Sequence, residues 1–209
     1  MTLRKNIIYR FFSIILLSKG VSDINVVSYG WEVFERNSDS RTLALAQSSI
    51  GYPIQNPGTI LLNPALSLSH NNMIGLTHQS RMSGTSNSEF IGFDKYINDS
   101  SWVSVVMLYE GVDGIPDTRG ALLDWGLDGI FGTFDVGEGN GSLDEGERLD
   151  VDKIRFFNQN IFGLYGAHSK IFNNWRIGFG LKIILHTIDK EFGIGAGLDI
   201  GVFRNYNNT

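Results

Sequence analysis

Between Trp175 and Phe203 the chain places a large apolar residue at every second position, twice over. In the first run Trp175, Ile177, Phe179, Leu181, Ile183 and Leu185 alternate with Arg176, Gly178, Gly180, Lys182, Ile184 and His186. In the second, Ile194, Ala196, Leu198, Ile200 and Val202 alternate with Gly193, Gly195, Gly197, Asp199 and Gly201. A period of two assigns each set to its own face of a strand. One face is greasy over a bilayer's depth, and the other is nearly stripped of side-chain volume. A soluble sandwich would carry more bulk and charge on its wet face. A transmembrane barrel needs apolar side chains outside and tolerates glycine and charge inside. The pattern therefore predicts an all-β protein, an antiparallel transmembrane β-barrel.

Composition narrows the alternatives. Glycine contributes 25 of 209 residues, nearly twice its usual share. No run of eighteen apolar residues is present, which argues against membrane-spanning helices. Cysteine is absent, so disulfide frameworks, zinc–thiolate sites and thiol nucleophiles are excluded. A net charge of −5 gives no basic surface for nucleic acid. At the N-terminus, Arg4, Lys5 and Arg10 precede a short apolar core, Phe11–Leu17, and the small residues around Gly20–Ser22. This reads as a signal peptide over 1–22, cleaved near Ser22, with a buried amphipathic helix as the alternative. Such a segment implies export, and together with the barrel pattern it makes a bacterial outer membrane the expected location.

Residues 23–72 lack regular periodicity and carry turn signals at Asn56-Pro57-Gly58 and Asn63-Pro64. One short helix is expected at Thr42–Gln47. Strands are expected at 73–80, 88–96, 101–109, 161–170, 175–187 and 194–203, so residues 73–209 form a partial barrel. Its connections at Ile97–Ser100 and Ile171–Asn174 are tight, the intervening ones longer, and 110–160 far longer. Short periplasmic turns alternating with long extracellular loops are what an antiparallel barrel shows. A turn centred near Lys190-Glu191 sets Lys182 roughly opposite Asp199, either as a lumen ion pair or as two separately wetted residues. Six strands fall short of the roughly eight that close a membrane barrel. The expectation is the N-terminal portion of a longer barrel, with a closed oligomer of six-stranded pieces as the alternative.

Several segments together resemble the PorV/PorQ family of outer-membrane barrels, which is similar to FadL-type transporters. They are Leu62-Asn-Pro-Ala-Leu66, Gly111-Val-Asp-Gly-Ile-Pro116, Gly178-Phe-Gly-Leu-Lys-Ile183 and Leu198-Asp-Ile-Gly201. The resemblance covers roughly residues 40–203 and rests on the order and spacing of motifs that are individually weak. It implies that residues 23–72 form a plug on the periplasmic side, closed by Asn63, Pro64 and Ala65. It also implies a conduit for hydrophobic or small solutes, or an accessory barrel serving secretion-machinery proteins. The stretch before Asn63 departs from the family's glycine- and alanine-rich pattern, and the family's C-terminal half has no counterpart. By residue chemistry alone, Asn63-Pro64 suits a plug turn or an ordinary turn before a strand.

The long connection holds the densest chemistry, Phe134–Asp150. Calcium takes six to eight oxygens, and an EF-hand-like loop supplies them around a required glycine. With Gly141 as that glycine, the candidate ligands are Glu138, Asn140, the Ser142 carbonyl, Asp144 and Glu147. Asp135 joins only through a one-residue expansion, since the first ligand position falls on Val136. A solvated acidic loop is the alternative. Enzyme chemistry is not expected: no nucleophile elbow, phosphate loop or dinucleotide fingerprint occurs. His70, His78, His168 and His186 lack metal spacing, although His168 and His186 on neighbouring strands could share a lumen site. Two rival functions remain, an adhesive or structural surface protein with a calcium-stiffened loop and a soluble secreted β-sandwich.

Overall fold

The computed structural model describes residues 30–51, 54–67 and 71–204; the signal-peptide segment lies outside them. Two five-residue helices open the described chain, α1 (Glu32–Arg36) and α2 (Ser40–Ala44). Three 3-10 turns follow at Ser48–Ile50, Pro57–Leu61 and Pro64–Leu66. The sheet then begins with β1 (Met73–Arg81), β2 (Ser86–Asn98) and β3 (Ser101–Asp117). A two-stranded ribbon, β4 (Leu122–Leu123) with β5 (Arg148–Leu149), forms a neck within the next connection. The long strands β6 (Arg155–Phe172), β7 (Trp175–Ile188) and β8 (Glu191–Arg204) complete the order β1-β2-β3-β6-β7-β8, antiparallel throughout. This is an all-β architecture. The six strands form an open sheet: β1 and β8 are its edges and do not pair with each other.

All six expected strands are present, but their ends and connections differ. The tight connections fall where expected, at Asp99-Ser100 and Asn173-Asn174. The β1–β2 and β7–β8 connections, expected to be longer, are also short. Asp189-Lys190 alone joins β7 to β8, with Asp189 in the left-handed region at φ 52°, which aspartate tolerates better than bulkier residues. The long connection shrinks from 110–160 to 118–154. Residues 110–117 and 155–160 instead extend the β3–β6 ladder past an irregularity between Val112 and Ile115, the extra residues of a bulge. The expected helix at 42–47 lies at Ser40–Ala44 because Asp39, not a residue nearer Thr42, caps it.

The N-terminal segment packs against one face of the sheet, hereafter the covered face. Val33, Phe34 and Ile60 of that segment meet Phe90, Val106, Leu108, Tyr165, Ala167 and Ile184 of the strands in one buried cluster. Each such side chain contributes roughly 1.5–3 kcal/mol by leaving water. The opposite, bare face carries exposed Ile74, Leu76, Phe93, Met107, Leu164, Phe179, Leu181, Leu198 and Ile200. His168 is exposed on the bare face, whereas His186 faces the covered side and contacts Gln159. A shared histidine site is thereby excluded, since register puts His168 opposite Phe179 and His186 opposite Ile161.

Candidate functional site

The chemistry of the covered face begins with how an N-terminal segment so poor in regular structure holds together. Asp39 is its internal anchor. Its buried carboxylate accepts the backbone amides of Arg41 and Thr42 at 2.9 Å each and the Asn56 side-chain amide at 2.6 Å. It also accepts the Thr42 hydroxyl. Four donors satisfy a charge that would otherwise be costly to bury. The glycine at Gly58 lets this packing happen, since a Cβ there would overlap the Asp39 and Ser38 side chains.

The segment then uses one turn twice. Asn56 Oδ1 accepts the Gly58 amide at 3.1 Å, and Asn63 Oδ1 accepts the Ala65 amide at 2.9 Å. In both cases proline opens the 3-10 turn that follows. Proline's fixed φ and missing N–H suit that first position, and the preceding asparagine is held extended. The Asn63, Pro64, Ala65 motif is thus a built turn seated on strands, with Pro64 and Ala65 buried.

What it sits on is glycine. A Cβ at Gly178 of β7 would overlap the Pro64 carbonyl and the Ala65 nitrogen, and one at Gly201 of β8 would overlap the Asn63 side chain. Gly92 of β2 leaves room for Pro57, where a Cβ would come within 2.6 Å of that ring, and Gly163 of β6 leaves room for Phe34. Within the alternating pattern, Gly178 and Gly201 are therefore contact positions for the N-terminal segment, whereas Gly180 makes room for Tyr165 and Gly193 has nothing within 4 Å of a Cβ. Polar ties fix the two ends. At one end Asn37, 1% exposed, donates to Glu110 at 2.9 Å and accepts from Arg81 at 2.8 Å, bridging β3 and β1. At the other, Asn63 donates to the Val202 carbonyl at 3.2 Å. Beside it Ser67 accepts Arg176 on its carbonyl at 3.1 Å and the Ser104 hydroxyl on its own hydroxyl. The Arg176 guanidinium also stacks 4.6 Å over Trp102.

Lys182 and Asp199 do pair, at 2.9 Å. They do so diagonally, because Lys182 is opposite Gly197 and Asp199 opposite Gly180. The two-residue shift keeps both on the covered face, as the period of two requires. The ammonium lies 5.4 Å from the Trp31 ring, and Tyr165 ends beside Asp199. Together with Phe34, Leu61 and Asn63 they line a cavity of ≈ 460 Å³ between the N-terminal segment and β7–β8. An aromatic wall, one cation, the two carboxylates of Glu35 and Asp199 and a phenol form a small amphipathic recess.

The acidic loop is arranged differently from a cation cage. Glu147 accepts the Gly126 and Asp144 amides at 2.9 Å each, and Asp135 accepts the Asp128 amide at 2.8 Å. Glu138 accepts the Gly132 and Phe134 amides. Asn140 contacts Asp144 and accepts the Ser142 amide. Asp124, which sequence reading passed over, accepts three amides in a row, from Gly139, Asn140 and Gly141. Those amides, Gly141's first, hold its carboxyl below the usual aspartate range. Among the described residues no three histidine, aspartate or glutamate side chains converge as a metal site. In this arrangement the carboxylates of Asp135, Glu138 and Glu147 serve the loop's own backbone.

Sequence reading found Asn63, Pro64, Ala65, Lys182 and Asp199 but missed Asp39, Asn37, Arg176 and the glycine seats. Asp39 alone carried a local signal, an aspartate just before Ser-Arg-Thr as a helix cap. No family model, curated protein or solved structure matches this chain.

Proposed function

We propose that the chain is the plugged wall of a bacterial outer-membrane β-barrel of PorV/PorQ type, similar to FadL-like proteins. In this reading the bare face of β1–β3 and β6–β8 meets lipid and residues 30–67 are the plug. The observation that carries it is the division of labour on single strands. On β7, Phe179, Leu181 and Ile183 are exposed while Gly178, Gly180 and Ile184 are buried under or beside the plug. An aromatic residue at one end of the bare face agrees with an interfacial girdle. Trp175, the first residue of β7, lies under Arg204 at 4.9 Å, whereas Tyr109 packs on Phe162 at 5.0 Å midway along β3 and β6 because β3 extends to Asp117. Function would lie in the seat: displacing the Asn63-Pro64-Ala65 turn from Gly178 and Gly201 would open the recess at Lys182 and Asp199. That suits passage of a hydrophobic or small solute, or gating by a secretion-machinery protein.

Heat-modifiable migration of the membrane-extracted protein is the test. A closed barrel in lipid resists detergent until boiled and then shifts on the gel; migration unchanged by boiling would sink the barrel reading in favour of a secreted β-sandwich. Calcium is proposed for the loop only through exchange, with the ion replacing backbone amides on Asp135, Glu138 and Glu147 and the Asn140 side-chain amide on Asp144. Outside a cell even a weak, millimolar site would fill. A calcium-specific loss of hydrogen-exchange protection at the amides of Gly126, Asp128, Gly132 and Phe134 would support it, and equal protection in calcium and in chelator would end it.

A further inference from the structure

The tip of the long connection does something its role as a connection does not need: it displays grease. Ile130 is 60% exposed, Phe131 77%, Phe134 91% and Val136 84%. These four side chains sit within seven residues, at the point of the connection between two short backbone closures. Leu127 and Val136 share a main-chain hydrogen bond at 3.2 Å, and the β4–β5 neck lies below. An unstructured loop would fold such side chains onto the sheet or onto each other. Here acidic side chains hold the backbone instead. Asp128 accepts the Ile130 amide at 2.8 Å, Asp135 accepts the Asp128 amide, and Glu138 accepts those of Gly132 and Phe134. Phe134 itself stands at φ 56°, a left-handed conformation that favours glycine and is uncommon for an aromatic residue. Such a position is kept only where surrounding structure over-determines it.

Charge decides what would cover these rings. Between Thr118 and Ile154 nine acidic residues face three basic ones, a net of −6 against −5 for the whole chain. Anionic lipid would be repelled, and so would a second copy of this loop. A protein surface with an apolar pocket ringed by lysine and arginine would be drawn in, because complementary charge steers encounter while buried aromatics supply most of the affinity. We propose that the Ile130–Val136 turn is a preorganised docking knob for a basic partner protein, with Phe131 and Phe134 as its anchors. The proposal does not depend on whether the bare face of the sheet meets lipid.

The test uses the full chain, immobilised in chelator, and a phage-displayed random-peptide library as probe. The expected result is enrichment of peptides that combine lysine or arginine with tryptophan, phenylalanine or leucine. Their binding should weaken as salt rises and fall at least about tenfold on the Phe131→Ser/Phe134→Ser double variant. Phe134→Leu, which keeps an apolar side chain, should retain most of it and guards against a folding artefact. Glu145→Gln/Asp152→Asn should flatten the salt dependence while leaving the peptides' dependence on Phe131 and Phe134. The proposal is overturned by the absence of enriched peptides, or by enriched peptides that bind the double serine variant equally. It is also overturned if Phe131 and Phe134 instead drive binding to neutral phosphatidylcholine vesicles or self-association of the chain.

Discussion

The two faces of β7 and β8 carry the same backbone and opposite fates. On one, Phe179, Leu181, Leu198 and Ile200 project unpartnered, between 50% and 79% exposed. On the other, Gly178 and Gly201 lie buried beneath the Asn63-Pro64-Ala65 turn. Alternation alone distinguishes the faces but says nothing of what each meets. The glycine face could have been an empty wet lumen. At Gly178 and Gly201 it is instead a seat for the Asn63-Pro64-Ala65 turn, and the lack of volume there is complementarity. Apolar bulk on the bare face needs an apolar neighbour, while glycine on the covered face already has one.

The largest break in this comparison should come at the seat. Gly178→Leu drives a side chain into the Pro64 carbonyl and the Ala65 nitrogen, and backbone there cannot rotate away. A cost upwards of about 3 kcal/mol is expected, the top of the overpacking range. The readout is rapid proteolysis of residues 30–67 while the strands stay protected. Gly166→Ala is the control, since nothing lies within 4 Å of a Cβ there; it should change neither stability nor cleavage. If both variants behave alike, the glycines are not seats.

Asp39→Ala comes next. It strips the cap from α2 and leaves the Arg41 and Thr42 amides and the Asn56 side chain short of an acceptor in a buried site. About 2 kcal/mol should be lost from the N-terminal segment, read as a lower denaturation midpoint of Trp31 fluorescence with the sheet's circular dichroism little changed. Lys182→Met should cost less than about 1 kcal/mol, because the ion pair with Asp199 is partly exposed and solvent screens it. Its larger consequence would be in the recess, where an apolar solute should bind better and an anionic one worse.

The smallest effect is a pH dependence of the loop. The Asp124 carboxyl is held below its ordinary value of 3.8 by the amides of Gly141, Gly139 and Asn140. Its contribution is therefore complete above that value and is lost as pH falls through the lower folded one. Hydrogen-exchange protection of Gly139 and Gly141 should stay flat from neutrality to about pH 5 and decline only in stronger acid. Asp124→Asn should abolish the acid step.

Much of this was legible in the chain because period-two patterning is a local signal. The strands at 101–109, 175–187 and 194–203 show it plainly while those at 73–80 and 88–96 alternate poorly, and the turn at Asn63 and the proximity of Lys182 to Asp199 followed from turn chemistry and register. The ends of β3 and β6 were not legible: Gly111, Asp113-Gly114 and Pro116 read as loop, yet Ile115, Pro116 and Asp117 pair with Phe157, Phe156 and Arg155. Only the partner strand makes that stretch extended. Asn37 was opaque for the same reason, since Arg81 and Glu110 are 44 and 73 residues away. The acidic loop shows the opposite failure. The number of its carboxylates is plain in sequence, but whether they turn to a common centre or to backbone amides depends on φ at residues such as Phe134 and Gly141.

The most direct measurement is spin-label accessibility on one strand pair in lipid. Nitroxides at Leu181 and Leu198 should be relaxed strongly by oxygen and weakly by a polar nickel chelate, as for lipid-facing sites. A label at Lys182, one residue along the same strand and only partly exposed in the recess, should be reached weakly by oxygen and more readily by the chelate, and should gain further access to the chelate when Gly178→Leu displaces the N-terminal segment. Shielding of Leu181 and Leu198 from oxygen, or their ready access to the chelate, would contradict a lipid-facing bare face.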